Sequence, residues 1–135
     1  MEDKQHAFVL ILAGYSREMN HFLSLNPGLQ SRFPFIIEFS DYTVNQLLEI
    51  GKRMYDEREY QLSKEAEWNL RDHLNAVKYS SHITSFSNGR YVRNIVEKSI
   101  RTQAMRLLQE EAYDKYDLLT ISSSDLILEE EMNGL

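Results

Sequence analysis

The chain has 135 residues with a formal net charge of −6, of which 42% are apolar and 27% charged. This is typical of a soluble globular protein of one domain or two small subdomains, and the negative charge argues against general nucleic-acid binding, which needs a basic surface. The lack of cysteine excludes disulfides, thiolate catalysis and cysteine-ligated zinc, and the four histidines lack the spacing of a metal site.

The first predicted elements form a strand–helix–strand unit. Residues 7–13 are a continuous apolar run closed by Gly14, which favours a strand covered on both faces, although a buried helix segment is the competing interpretation. Ser16 is expected to cap a short helix over residues 17–24, and residues 35–39 form a second apolar run that predicts a strand. A parallel βαβ arrangement is therefore plausible.

A turn over residues 26–34 separates that helix from the second strand and contains both prolines of the chain. Asn-Pro and Pro-Gly steps mark a turn, because proline presets φ and Gly28 accepts a positive φ. Pro34 pushes Phe33 towards an extended conformation. Such a turn holds Arg32 in a defined place, and the alternative is an ordinary surface turn with a solvated arginine.

The period of the apolar pattern changes from two to 3.6 after Ser40, which predicts an all-α region. Thr43 and Gln46 form a capping-box signature for a helix that ends near Glu59. Gly51 lies inside this helix and should cost about 1 kcal/mol relative to alanine unless a neighbour packs close to it.

Ser63 is expected to cap the next helix, with Trp68 and His73 at the boundary of its buried face. The predicted inner face consists of Ala66, Leu70, Leu74 and Val77. A polar linker over residues 79–87 then leads to the longest helix, which starts at Ser87-Asn88. Its predicted inner face consists of Val92, Ile95, Val96, Ile100, Ala104, Leu107 and Leu108.

A short segment over residues 118–121 follows the long helix, and Ser122 with Asp125 forms a last capping box before an acidic tail at residues 129–131. The two predicted strands pose a physical problem, because a ribbon of two strands cannot bury both faces and is marginal alone. Either the chain pairs with another chain or it is a fragment of a longer α/β protein, which we favour.

Two arginines stand at the start of the long helix, in Asn88-Gly89-Arg90-Tyr91-Val92-Arg93. The helix macrodipole disfavours cations there, so their placement suits an anionic ligand that the guanidinium and the free helix N–H groups bind together. Arg90 and Arg93 project from one face because they are three residues apart. The alternative is that one or both arginines pair with an acidic residue such as Glu97, four residues after Arg93, or with another helix.

A complete nucleotide site cannot be built from this sequence. No G-x-x-x-x-G-K-[ST] loop is present, and neither predicted strand ends in paired acidic residues that could hold a metal ion. No serine lies in a nucleophile elbow, which argues against a Ser/His/Asp hydrolase.

Several motifs that follow in order along nearly the whole chain nevertheless make the sequence recognisable: Ile11-Leu12-Ala13-Gly14-Tyr15, Met19, Phe22, Asn26-Pro27-Gly28-Leu29, Ser31-Arg32-Phe33-Pro34, Asp41-Tyr42 and Phe86-Ser87-Asn88-Gly89-Arg90-Tyr91-Val92-Arg93-Asn94. In these motifs the sequence resembles the carboxy-terminal part of AAA+ ATPases, in the subgroup that contains red-type rubisco activase and stage V sporulation protein K, and most closely the sporulation branch. The resemblance implies that residues 1–40 end the α/β nucleotide-binding core and that residues 41–135 form the helical lid with an acidic tail. It also implies that the phosphate-loop strand lies between the two strands of this chain, which should not pair directly.

The resemblance also implies roles for single residues. Arg32 resembles the arginine finger, which reaches into the nucleotide site of the adjacent subunit, and Arg90 resembles the sensor-2 arginine, with Arg93 as the second choice. Tyr15 would lie near the γ-phosphate, although many relatives have asparagine there. At Gln30 the subgroup often has a further arginine, which this chain lacks.

The expected parent protein uses ATP and magnesium, forms a homo-oligomeric ring (a hexamer), and remodels an unidentified protein partner in the cytoplasm during sporulation. The fragment alone is expected to bind no cofactor and to be inactive, and neither nucleic acid nor membrane is an expected partner. Two alternatives remain: a free-standing helical interaction module without nucleotide chemistry, and a helical regulator that binds an anion at Arg90.

Overall fold

The computed structural model describes residues 7–79 and 88–128. Within these residues the fold is mostly helical, as predicted, and contains one small parallel sheet. The chain falls into two compact units, Met1–Ser40 and Asp41–Leu135. The first unit contains α1 (Ser16–Leu25) and α2 (Pro27–Gln30). The second contains α3 (Val44–Glu57), β1 (Gln61–Leu62), α4 (Lys64–Lys78), α5 (Asn88–Leu108), α6 (Lys115–Leu119), β2 (Thr120–Ile121) and a 3₁₀ turn (Ser123–Asp125).

Neither of the two strands predicted for the first unit forms in this chain. Residues 7–13 and 35–39 form neither helix nor strand, and their apolar side chains are exposed, with 86% of Val9 and 79% of Ile36 accessible. A strand that is apolar on both faces needs neighbouring strands and helices to cover it. In the described part of the chain neither segment pairs with another strand.

The helices of the first unit also begin differently from the prediction. Ser16 is the first residue of α1 rather than its cap, and the N-cap position belongs to Tyr15, which makes no side-chain capping bond. The turn after α1 is helical, because Pro27 starts α2 at a position where a missing N–H costs nothing. The positive φ expected at Gly28 is therefore wrong.

Local capping signals are confirmed in the second unit. Gln46 N donates to Thr43 Oγ1 at 3.2 Å and Thr43 N donates to Gln46 Oε1 at 2.9 Å, which completes the predicted capping box of α3. Ser63 Oγ accepts from Ala66 N at 3.1 Å at the start of α4. The predicted inner face of α4 is buried along its whole length.

The core lies where α3, α4 and α5 meet. Gly51 of α3 is buried at this junction, and a β-carbon built on it would come within 3.1 Å of Val92 Cγ1 on α5. The glycine thus permits a close approach of the two helices, which is the exception that the sequence prediction allowed for.

The buried face of α5 departs from the prediction at its second half. Ala104 and Leu108 are exposed, and the polar residues Ser99 and Gln103 are buried in the core. Their polar atoms are bonded, since Ser99 Oγ lies 2.6 Å from Tyr55 Oη and Gln103 Nε2 donates to the carbonyl of Leu118 at 2.8 Å. Apolar periodicity alone could not identify these positions, because burial of a polar side chain depends on its partner.

A two-strand parallel pair closes the second unit. Gln61 pairs with Thr120 and Leu62 with Ile121, and Ser63 N donates to the carbonyl of Ile121 at 3.0 Å. This pair was not predicted, and the predicted segment over residues 118–121 divides between the end of α6 and β2.

Asp125 anchors the segment that follows β2. Ser122 N donates to Asp125 Oδ2 at 2.9 Å, as the predicted capping box requires. Arg106 of α5 binds the same carboxylate with two bonds, from Nε to Oδ1 at 2.8 Å and from Nη2 to Oδ2 at 3.1 Å. The predicted acidic tail and most of the predicted linker at residues 79–87 lie outside the described residues.

Candidate functional site

Arg32 follows a tightly hydrogen-bonded stretch of backbone. Its N–H donates to the carbonyl of Leu29 at 3.0 Å, and Ser31 Oγ donates to the carbonyl of Gly28 at 3.1 Å. The side chain of Arg32 is exposed and makes no ion pair with any described residue. The local structure therefore fixes the backbone of Arg32 and leaves its guanidinium accessible to a ligand.

Tyr15 lies in the same unit at the start of α1, where its carbonyl accepts from Met19 N at 2.8 Å. Its side chain is 82% exposed. The chain presents this phenol to solvent one residue beyond Gly14, which closes the segment 7–13.

Arg90 and Arg93 lie in the first turns of α5 and are both exposed. Tyr91 and Val92, the two residues between them, are buried with 9% and 0% of their surface accessible. Because side chains three apart share a helix face, the burial of the intervening residues turns both guanidinium groups outward. The arrangement suits an anion approaching the amino-terminal end of α5.

The predicted alternative, an ion pair of Arg93 with Glu97, is wrong. Glu97 instead lies 3.7 Å from Arg58 of α3, between Oε1 and Nη2. Within residues 7–79 and 88–128, neither Arg90 nor Arg93 has an ion-pair partner. The structure thus leaves both positive charges available.

The first turn of α5 is fastened to α4 by an aromatic pair. His73 Nε2 and Tyr91 Oη lie 2.5 Å apart, and the two rings are nearly parallel, with an interplanar angle of 12° and centroids 5.9 Å apart. His73 is 8% exposed, so the prediction that it lies at the boundary of the buried face of α4 is wrong. Spacing along α4 placed it off the apolar stripe, and no local signal pointed to a partner on α5.

A groove between α3 and α5 runs beside Arg93. It has a volume of about 490 Å³, an apolar floor that includes Ile50 and Val96, and a rim that contains Arg53 and Glu57. Arg93 therefore faces a surface of mixed charge on its own unit, which distinguishes it from Arg90.

Two perturbed groups lie in the second unit away from these arginines. The hydrogen bonds that Arg106 donates to Asp125 raise the pKa of its guanidinium above its usual range. Burial raises the pKa of Tyr55 to about 12, although its hydrogen bond to Ser99 opposes the shift. Tyr55 is buried in the core and Arg106 binds a buried carboxylate, so we assign both a structural role.

The residues predicted to contact nucleotide divide between the units, with Tyr15 and Arg32 in the first and Arg90 and Arg93 in the second. The described residues include no group of three His, Asp or Glu side chains placed to hold a metal ion. In the same part of the chain, every helix is too short or too polar to cross a bilayer.

Comparison with known proteins gives matches over nearly the whole chain. A family model described as AAA lid domain matches residues 43–134. The chain is 68% identical over 134 residues to stage V sporulation protein K of Bacillus subtilis (strain 168), which covers 99% of this chain and 42% of that protein. It is 36% identical over 128 residues to protein CbbX of Cereibacter sphaeroides, which covers 93% of this chain and 40% of the relative.

A third relative is the chloroplastic ribulose bisphosphate carboxylase/oxygenase activase of Cyanidioschyzon merolae (strain NIES-3377 / 10D). It is 36% identical over 129 residues, covering 94% of this chain and 43% of the relative. The chain thus spans about two fifths of the length of these curated relatives.

Proposed function

Since this chain belongs to the family of AAA lid domains, we propose that it is the carboxy-terminal part of an AAA+ ATPase. Residues 41–135 form the lid, and residues 1–40 form the end of the nucleotide-binding core. The single observation that carries this proposal is the lid match over residues 43–134. The exposed apolar segments at residues 7–13 and 35–39 support it, because both would be covered by the strands of a larger sheet.

Arg32 acts as an arginine finger that enters the nucleotide site of the next subunit. Negative charge develops on the γ-phosphoryl group as it is transferred, and a guanidinium held in place stabilises that charge. The hydrogen-bonded backbone before Arg32 and the accessible side chain support this role.

Arg90 senses the phosphates from the lid, and Arg93 is the second choice for that role. The exposed position of Arg90 at the amino-terminal end of α5 supports the assignment. Arg90 is preferred to Arg93 because Arg93 lines the groove between α3 and α5. Tyr15 lies near the γ-phosphate in the same scheme. ATP and magnesium bind in the intact protein, where residues outside this sequence supply the phosphate loop and the magnesium ligands.

The intact protein hydrolyses ATP in a homo-oligomeric ring, a hexamer, and uses lid motion to remodel a protein partner in the cytoplasm. The name of the relative from Bacillus subtilis, stage V sporulation protein K, supports a role in sporulation. The chain alone hydrolyses no ATP, because it lacks the phosphate loop.

Substitution of Arg32 in the full-length protein tests the finger. Arg32→Ala should leave the Kd for ATP nearly unchanged and lower turnover by about 10³-fold or more, whereas Arg17→Ala, which removes another exposed arginine of the same unit, should change neither. Mixed rings in which hydrolysis-deficient subunits supply an intact Arg32 should recover turnover. Wild-type turnover in Arg32→Ala would refute the assignment.

Substitution of Arg90 tests the lid sensor. Arg90→Ala should raise KM for ATP about tenfold or more, as expected for loss of a charge-assisted hydrogen bond to phosphate, and Arg101→Ala on the same helix should not. An effect of Arg93→Ala alone would move the role to Arg93. A full-length protein without ATP turnover and without a phosphate loop would favour the free-standing helical interaction module.

A further inference from the structure

We propose that His73 and Tyr91 are positioning residues for nucleotide sensing, because they fix the turn of α5 that carries Arg90. This inference rests on the proposed function of Arg90 as a phosphate sensor. Neither residue needs to touch the nucleotide, since both are buried while Arg90 is exposed.

Two kinds of contact hold the start of α5, one apolar and one a directional hydrogen bond. Val92 packs against α3 beside Gly51, which sets the distance between helices α3 and α5. Apolar packing of this kind is non-directional, so Val92 alone does not fix the orientation of the first turn of α5, and the directional bonds of Ser99, Gln103 and Arg106 lie further along the helix. The bond between Tyr91 Oη and His73 Nε2 is directional and ties the residue next to Arg90 to α4.

The first turn of a helix needs such a tie, because its N–H groups have no partners within the helix and helix ends fray easily. If the first turn moves, the guanidinium of Arg90 samples more orientations, and a ligand must order it on binding. The stacked rings and the hydrogen bond of the His73–Tyr91 pair oppose this motion.

The chain offers a matched control for the loss of one buried tyrosine hydroxyl. Tyr55 Oη, on α3, lies 2.6 Å from the Oγ of Ser99, a residue in the middle of the same helix α5. Tyr55→Phe and Tyr91→Phe each remove one oxygen from a buried hydrogen bond to a neighbouring helix. They differ in whether that bond lies beside Arg90.

Steady-state kinetics of the full-length protein provide the first test, at a temperature where all variants are folded by circular dichroism. Tyr91→Phe should raise KM for ATP about fivefold, the factor that one net hydrogen bond supplies, with kcat changed less. Tyr55→Phe should leave KM unchanged. His73→Leu should behave like Tyr91→Phe, and His73→Gln, whose amide reaches the position of Nε2, should restore part of the affinity.

A double-mutant cycle with Arg90→Ala separates positioning from a general loss of stability. Tyr91→Phe should raise KM in the wild-type background and have no further effect once Arg90 is removed. Equal effects in both backgrounds would overturn the inference. If Arg90→Ala itself leaves KM unchanged, the proposed function of Arg90 is refuted instead. Amide hydrogen exchange then tests whether the His73–Tyr91 pair holds the first turn of α5.

Amide hydrogen exchange in the 135-residue chain measures, without nucleotide, how strongly the His73–Tyr91 pair holds the first turn of α5. Tyr91→Phe should speed exchange in peptides from residues 88–96 several-fold more than in peptides from α3 and the middle of α5. Tyr55→Phe should not produce this local difference. A uniform increase across the second unit would refute a local anchoring role.

Discussion

Replacing Arg106 by alanine should destabilise the second unit by about 2 kcal/mol. The carboxylate of Asp125 is completely buried, and Arg106 supplies two of its hydrogen bonds together with its counter-charge. Removing one member of a fully buried ion pair typically costs about 3–5 kcal/mol, because the other charge stays without compensation.

Two features of the structure reduce that figure. The Arg106 side chain is 30% exposed, so water can reach part of the space that it leaves. Ser122 continues to donate to Asp125 Oδ2 from its N–H at 2.9 Å and from its hydroxyl at 3.0 Å. We therefore place the cost between that of a surface pair, about 1 kcal/mol or less, and that of a fully buried one.

Urea denaturation of the 135-residue chain, followed by circular dichroism at 222 nm, measures this free energy of unfolding. Arg106 also contacts Glu110 at 2.9 Å, so Glu110→Ala serves as the control and should cost about 0.5 kcal/mol or less. The reasoning fails if Arg106→Ala destabilises the chain no more than Glu110→Ala does.

Three further predictions concern the same unit. Because Tyr55 titrates near 12 when folded and near 10 when unfolded, the folded state retains its proton longer, so stability should fall by about 2–3 kcal/mol as pH rises from 10 to 12. Urea midpoints should show this fall in wild type and a shallower one in Tyr55→Phe, and equal slopes would contradict the assignment. Gly51→Ala should not give the gain in stability of about 1 kcal/mol that is expected in an exposed helix, because the new methyl group would meet Val92 at 3.1 Å. A full gain in the urea midpoint would mean that α5 moves away from the methyl group at no cost in free energy. Thr43→Ala should cost about 1 kcal/mol through loss of the α3 cap, whereas an unchanged unfolding curve would show that the cap contributes nothing.

Features of the second unit that depend on neighbours in sequence could be predicted. The Thr43–Gln46 and Ser122–Asp125 bonds span three residues, so the residue types alone define them. The apolar face of α4 was also predictable, because its positions repeat with the helical period.

Features that depend on distant partners could not be predicted. His73 is buried because Tyr91 meets it from another helix, and Gln103 because α6 supplies carbonyls to bond it. The strand predicted at residues 7–13 is the opposite case: its apolar pattern requires partners that the described part of the chain does not provide. The exposure of Arg90 and Arg93 follows from the burial of the residues between them, but the ligand that they meet is not encoded in this local pattern.

The pairing of β1 with β2 has a consequence for how the protein is made. Ile121 is fully buried in the core and bonds to a strand that lies 59 residues earlier in the chain. A ribosome releases the chain from its amino end, so α3, α4 and most of α5 emerge before the residues that close the unit. Closing so long a loop carries an entropic cost, which the packing of α3 against α5, the completed pair and the Asp125 anchor together offset. A nascent chain stalled before Thr120 should therefore hold formed helices without a finished lid, and its folding should be completed only after the last turn of the unit has left the exit tunnel.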